Sequence, residues 1–96
     1  MVLTIDFETF YSRAYTLSAM TTQQYVLSPY FEAIGVSVAV DDNPPVWFSG
    51  DHEATREWLA QWPWAGATAV AHNAMFDASI LEWHFGIRAG SWFCTM

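Results

Sequence analysis

The stretch Leu3-Thr4-Ile5-Asp6-Phe7-Glu8-Thr9 opens a chain of 96 residues and decides how the rest of it is read. This apolar run predicts a first β-strand. On a strand, residues i and i+2 point to the same face, so Asp6 and Glu8 converge near the strand's end. Two like charges placed together repel, and each raises the other's pKa unless something positive lies between them. Hard divalent cations such as Mg²⁺ and Mn²⁺ prefer carboxylate oxygens and resolve that conflict. A strand end with two solvated acids is the competing reading, because short acidic patterns are common by chance.

Composition narrows the classes. Ninety-six residues make one small domain with a single modest core. A chain that is 53% hydrophobic and 18% aromatic, with six Trp, is not a disordered tail, and it carries more apolar surface than so short a chain easily hides. Part of that surface is expected to meet another domain or chain. No apolar stretch approaches the roughly 20 residues of a membrane span, and the start lacks a basic leader, so a soluble, intracellular protein is expected. The lone Cys94 forms no internal disulfide, and one cysteine is too few for the common cysteine-rich zinc sites. The net charge of −7 sets ten acids against Arg13, Arg56 and Arg88, with no lysine. Holding a phosphate backbone by charge requires basic residues, so any nucleic-acid role must work through metal ions or borrowed basic surface.

After the first strand, Tyr11 to Ser28 is polar and turn-rich, with a short helix within Thr21-Thr22-Gln23-Gln24-Tyr25-Val26-Leu27 under a threonine cap. Ala33 to Val40 is a β-branched strand. The turn Asp41-Asp42-Asn43-Pro44-Pro45 leads into the short strand Val46-Trp47-Phe48, giving an antiparallel hairpin. Asp51 caps a helix that runs to about Gln61, with Ala54, Trp58, Leu59 and Trp62 as its buried stripe and Pro63 and Gly66 as stops. Thr68 to Ala71 is a short strand, Ala74 to Phe85 a helix closed by Gly86, and Ser91 onward the opening of another strand. Early hairpin strands followed by β-α-β crossovers predict a mixed-sheet α/β domain that lacks a third covering helix.

The second motif, His72-Asn73-Ala74-Met75-Phe76-Asp77, lies at a strand-to-helix junction, where α/β folds place ligands beyond the carboxyl ends of strands. Asp77 shares a helix face with Asn73, Ile80 and Leu81, beside the stripe that packs on the sheet. It is either a ligand or an early-turn acid favoured by the helix dipole, with Asn73 as a plain cap. If the Asp6 strand is central and the Thr68 to Ala71 strand runs parallel beside it, Asp77 enters the same site and three acids face one metal cluster.

Asp6-Phe7-Glu8-Thr9 and His72-Asn73-Ala74-Met75-Phe76-Asp77 together resemble the first two motifs of the DEDD 3′-to-5′ exonucleases, which have a ribonuclease H-like fold. Leu17-Ser18-Ala19-Met20-Thr21-Thr22-Gln23-Gln24-Tyr25, Phe31-Glu32-Ala33-Ile34-Gly35-Val36-Ser37-Val38 and Trp92-Phe93-Cys94-Thr95-Met96 look like the amino-terminal exonuclease region of bacteriophage family A DNA polymerases. The resemblance covers nearly the whole chain. It implies a proofreading exonuclease that uses two Mg²⁺ or Mn²⁺ ions on a single-stranded DNA 3′ end, in the cytoplasm of a bacterial host. Asp6, Glu8 and Asp77 would be the metal ligands, with Phe7, Thr9 and Asn73 near the nucleic acid. The family's third motif, a Tyr or His followed four residues later by the fourth catalytic Asp, has no counterpart here. Residues 1–96 are therefore expected to be a C-terminally truncated exonuclease domain, apart from its remaining segment and its polymerase domain.

Three classes remain open: an enzyme, an inert half-domain that needs a complementary segment, and a structural module without metal affinity. His72, at a strand end and without a second His or Cys at metal-ligand spacing, is read as structural rather than as a general base or zinc ligand, and His52 and His84 are read as solvated or packed. No serine lies in a Gly-x-Ser-x-Gly turn, which argues against a serine hydrolase. The aromatic residues are read chiefly as core and interface, with Trp58, Trp62, Phe76 and Trp83 at helical burial spacing and base stacking as the alternative.

Overall fold

Strand β1, Val2–Thr9, forms the middle of a five-stranded mixed sheet in a computed structural model that describes residues 1–12 and 14–96. The order is β3-β2-β1-β4-β5. β1 pairs antiparallel with β2, Ala33–Val40, which turns back into β3, Val46–Phe48. On its other side β1 runs parallel to β4, Thr68–Ala71, and β4 runs parallel to β5, Ser91–Cys94. The α/β class and the central position expected for the first strand are both present.

The hairpin turn depends on Asp41, whose left-handed backbone (φ 51) is tolerated by Asp better than by most residues. Its Oδ1 also accepts the Val2 N–H at 2.8 Å, tying the turn to the start of β1.

Three helices accompany the sheet. α1, Thr22–Val26, is too short to stand alone in water. Thr21 and Gln24 close a capping box around its first turn, and Tyr25 and Val26 anchor it in the core. α2, His52–Leu59, starts where Asp51 accepts the Ala54 N–H at 2.8 Å. It ends two residues before the expected Gln61, and its fully buried residues are Thr55 and Leu59. Trp58 and Trp62 are only half-buried, packed edge to face. A 3₁₀ turn at Trp64–Gly66 follows, and the Trp64 indole N–H donates to the Leu59 carbonyl at 2.7 Å, binding the helix end. α3, Ala74–Phe85, ends at Gly86, where φ 66 suits glycine.

Registry assigns the sheet's faces. Leu3, Ile5 and Phe7 lie opposite Val40, Val38 and Val36, and Leu3 also lies beside Ala69. Cross-strand partners share a face. That face receives all three helices: α3 packs on β1, β4 and β5, α1 packs on α3, and Trp58 of α2 stacks on Phe48. Leu3, Ile5, Val36, Val38, Leu59, Ile80 and Leu81 form the heart of a single core. The opposite face, with Thr4, Asp6 and Glu8 beside Ala39, Ser37 and Gly35, contributes no side chain to that core among the described residues.

Candidate active site

Asp6 and Glu8 leave β1 through the face that no helix covers, and both are exposed. Phe7 between them points into the core, where its ring lies parallel to that of Phe85 at 5.9 Å. Its outer edge also lines a surface recess that it shares with Glu8, Thr9, Tyr25 and Phe76.

Asp77 reaches the same strand from the helix side. β4 pairs with β1 only along Val2 to Thr4, so the backbone farther along β1 lacks a strand neighbour there. Asp77 Oδ1 accepts the Phe7 N–H at 3.1 Å, and a side-chain carboxylate takes the place of a ladder carbonyl. Its position in α3 follows from the helix face it shares with Ile80 and Leu81, both fully buried. Asp77 itself is 3% exposed. Its pKa is raised to about 7, chiefly by burial, with the Phe7 amide opposing the rise and the nearby Asp6 carboxylate adding to it.

The three acids thus meet at one strand without forming one cluster. Among the described residues, no three His, Cys, Asp or Glu side chains are placed to hold a metal ion. The sequence reading expects three acids facing a common metal site. The structure parts them because Asp6 and Glu8 project from the bare face, whereas Asp77 approaches at the level of the backbone from the covered side.

Thr9 lies just past a register shift at Glu8/Thr9, and its hydroxyl is 2.9 Å from that of Tyr25. Asn73 occupies the N-cap position of α3 but makes no side-chain cap bond. Its carbonyl accepts from Phe76 and Asp77 at 3.0 and 3.2 Å, so the amide side chain is free of the plain capping role.

A recess of about 390 Å³ adjoins Asp6 on the bare face, lined also by Thr4, Val70, His72 and Thr95. Thr95 Oγ1 is 3.4 Å from His72 Nδ1, and the Cys94 thiol beside it accepts the Ala74 N–H at 3.4 Å. That amide lowers the pKa of the exposed Cys94 thiol. Sequence spacing gives no sign of these neighbours, since only the pairing of β4 with β5 brings Cys94 and Thr95 next to His72. A cavity of about 500 Å³ elsewhere, between the starts of β2 and α2 and the end of α3, contains none of the three candidate acids. His84 at its edge stacks on Phe31 and lies 2.6 Å from the Val26 carbonyl, a structural contact.

No known protein-family model matches the chain, and no curated protein matches it. No helix among the described residues is long and apolar enough to cross a membrane.

Proposed function

We propose that the chain is the metal-binding part of a 3′-to-5′ exonuclease domain of ribonuclease H-like architecture, of the kind that accompanies phage family A DNA polymerases. One observation carries the reading: the buried Asp77 carboxylate is bonded to the amide of Phe7, the residue between Asp6 and Glu8. Two sequence motifs seventy residues apart therefore meet at a single peptide unit on the central strand.

The residues fit Mg²⁺ or Mn²⁺ in kind. All three donors are hard carboxylate oxygens. The Asp6 and Glu8 side chains are exposed, and their carboxylates make no hydrogen bond among the described residues, while the pKa of Asp77 is raised to about 7, a shift that a bound cation would reverse. Bound in pairs, such ions supply an activated water and stabilise charge on a scissile phosphate. In this reading Asp6 would serve both ions, Glu8 would hold the one that activates the water, and Asp77 would support the other. Thr9 and Asn73 position the terminal nucleotide of a single-stranded DNA 3′ end. A chain with three arginines and no lysine holds that substrate through its ions rather than through basic side chains.

A second reading has its own observation. Because the three acids do not gather into a ready ligand set, the chain also fits an inert half-domain that supplies three ligands only when a complementary segment, carrying the fourth, completes it.

The test is a calorimetric Mn²⁺ titration of the chain and its Asp6→Ala variant at pH 8, above the Asp77 value of about 7, together with degradation of 5′-labelled single-stranded DNA. Asp6-dependent binding with shortening from the 3′ end supports the enzyme. Asp6-dependent binding without shortening supports the shared metal site and points to a fourth ligand supplied from elsewhere. Equal or absent binding in both proteins leaves the three acids unassembled in this chain and favours the half-domain or a structural module over an enzyme.

A further inference from the structure

We infer that Tyr25, which neither acidic motif contains, is a positioning residue that holds the Glu8 and Thr9 end of β1 in place. Its bearing on chemistry rests on the metal-binding reading above, in which Glu8 holds an ion and Thr9 meets the nucleotide. The pairing of β1 with β2 slips at this point: Glu8 lies opposite Gly35 but Thr9 lies opposite Ala33, so Ile34 is left over. An extra residue of this kind re-aims the side chains beside it and interrupts the ladder that would fix them. Thr9 is the last residue of β1 to pair, and beyond it the Phe10 N–H donates to the Glu32 carbonyl at 2.9 Å. The Phe10 carbonyl still needs a donor. Tyr25 supplies it: its phenolic O–H donates to the Phe10 carbonyl, and the Thr9 hydroxyl lies 2.9 Å from the same phenol oxygen. With the single phenolic proton committed to Phe10, the Thr9 hydroxyl is the donor in that second contact.

The two sides of this segment are pinned in the same way. The Asp77 carboxylate takes the Phe7 N–H from α3 and the Tyr25 phenol takes the Phe10 carbonyl from α1, so Glu8 and Thr9 lie between two side-chain clamps on the backbone. Tyr25 can serve as a clamp because it is itself held. It is buried on α1, its ring stacks nearly parallel on Tyr15 at 4.3 Å, and its own carbonyl accepts the Tyr15 hydroxyl at 2.5 Å. The same ring meets Phe76, the neighbour of Asp77, at 5.7 Å. One buried side chain thus touches α3 beside the second motif and bonds β1 at the end of the first. A core tyrosine whose hydroxyl simply finds a partner is the plain alternative. Tyr15 provides the internal comparison: it too is buried, stacked and bonded to a carbonyl, but that carbonyl belongs to α1 and not to the end of β1.

The test compares Tyr25→Phe with Tyr15→Phe in the full chain, each of which keeps its ring and loses one hydroxyl. Backbone amide relaxation by NMR comes first, because it needs no metal. Tyr25→Phe should lower the order parameters of Glu8, Thr9 and Phe10 toward the flexible range below about 0.6, while Leu3 to Ile5 stay rigid. Tyr15→Phe should leave all of these as they are in the unsubstituted chain. Mn²⁺ calorimetry follows. Tyr25→Phe should weaken binding by roughly two- to tenfold, the factor a single hydrogen bond is worth, and should have no further effect once Glu8→Gln is present. Tyr15→Phe should leave the affinity unchanged. Undiminished order at Glu8 to Phe10 in Tyr25→Phe, or an equal loss of order in both variants, overturns the proposal in favour of a tyrosine that only fills the core. A Tyr25→Phe effect on Mn²⁺ binding that persists in full beside Glu8→Gln also overturns it, because the phenol then does not act through Glu8. A chain without Asp6-dependent Mn²⁺ binding strikes the exonuclease reading instead, and the relaxation comparison alone then decides whether Tyr25 holds the strand end.

Discussion

The two faces of β1 come from the same eight residues and have opposite fates. Leu3, Ile5 and Phe7 alternate with Thr4, Asp6 and Glu8, and the first set is almost wholly removed from water while the second is exposed. Stability should therefore reside in one face and chemistry in the other. The exception is Asp77, a charge-bearing group placed on the stabilising side, and it links the two.

The largest expected effect breaks the covered face. Phe7→Ala should destabilise the chain by about 3 to 5 kcal/mol, since it removes a buried aromatic stacked on Phe85. A small domain has only about 5 to 15 kcal/mol in hand, so urea unfolding should show a chain near the limit of folding. A loss below about 1 kcal/mol would mean that α3 does not seal this face as described.

Next comes the group that joins the faces. With a folded pKa of about 7 against an ordinary 3.8, Asp77 keeps a proton in the folded chain that the unfolded chain releases. Between those values the folded state binds more protons, so stability falls as pH rises and the loss is complete above about 7. Asp77→Asn keeps an acceptor for the Phe7 N–H and removes the charge. It should stabilise the chain at pH 8 by an amount on the order of 2 to 4 kcal/mol, and it should leave stability at pH 3 nearly unchanged. Unfolding midpoints of both proteins across pH 3 to 9 check this. A wild-type chain that gains stability from pH 4 to 8 through Asp77 would require a cationic neighbour that the described residues do not show.

Much of the fold is legible in the sequence, and the limits have physical causes. β2, β4 and α3 are readable to the residue because β-branched runs, a strand-to-helix junction and a terminal glycine are local signals. The Thr21 and Asp51 caps are readable for the same reason. The end of α2 is not, because Pro63 marks only the latest possible stop and the chain leaves the helix earlier to seat Trp64. Trp83 is expected at a buried position yet is 46% exposed, since α3 is apolar nearly all round and its pattern does not say which side meets the sheet. At the candidate site, the i, i+2 spacing correctly places Asp6 and Glu8 on one face. It is silent on Asp77 capturing the Phe7 amide, which depends on where β4 stops pairing.

A smaller effect tests one of those local signals. Asp51→Ala removes the acceptor of the Ala54 N–H and should cost about 1 kcal/mol. Asp51→Asn should recover most of it, because the amide oxygen still accepts. Urea midpoints of the three proteins compare directly, and equal losses for Ala and Asn would assign the effect to charge at the dipole rather than to the cap bond.

The smallest effect belongs to the bare face and completes the contrast. Thr4→Val exchanges a hydroxyl for a methyl at an exposed position one residue from the fully buried Leu3 and Ile5. With nothing covering it, the change should move stability by no more than about 0.5 kcal/mol, as for surface substitutions generally. Placed one residue earlier or later, a change of similar size would disturb the core, because the strand's period of two separates the faces completely. A near-neutral result would confirm that nothing packs on Thr4. A clear destabilisation in the free chain would mean that this face is already packed.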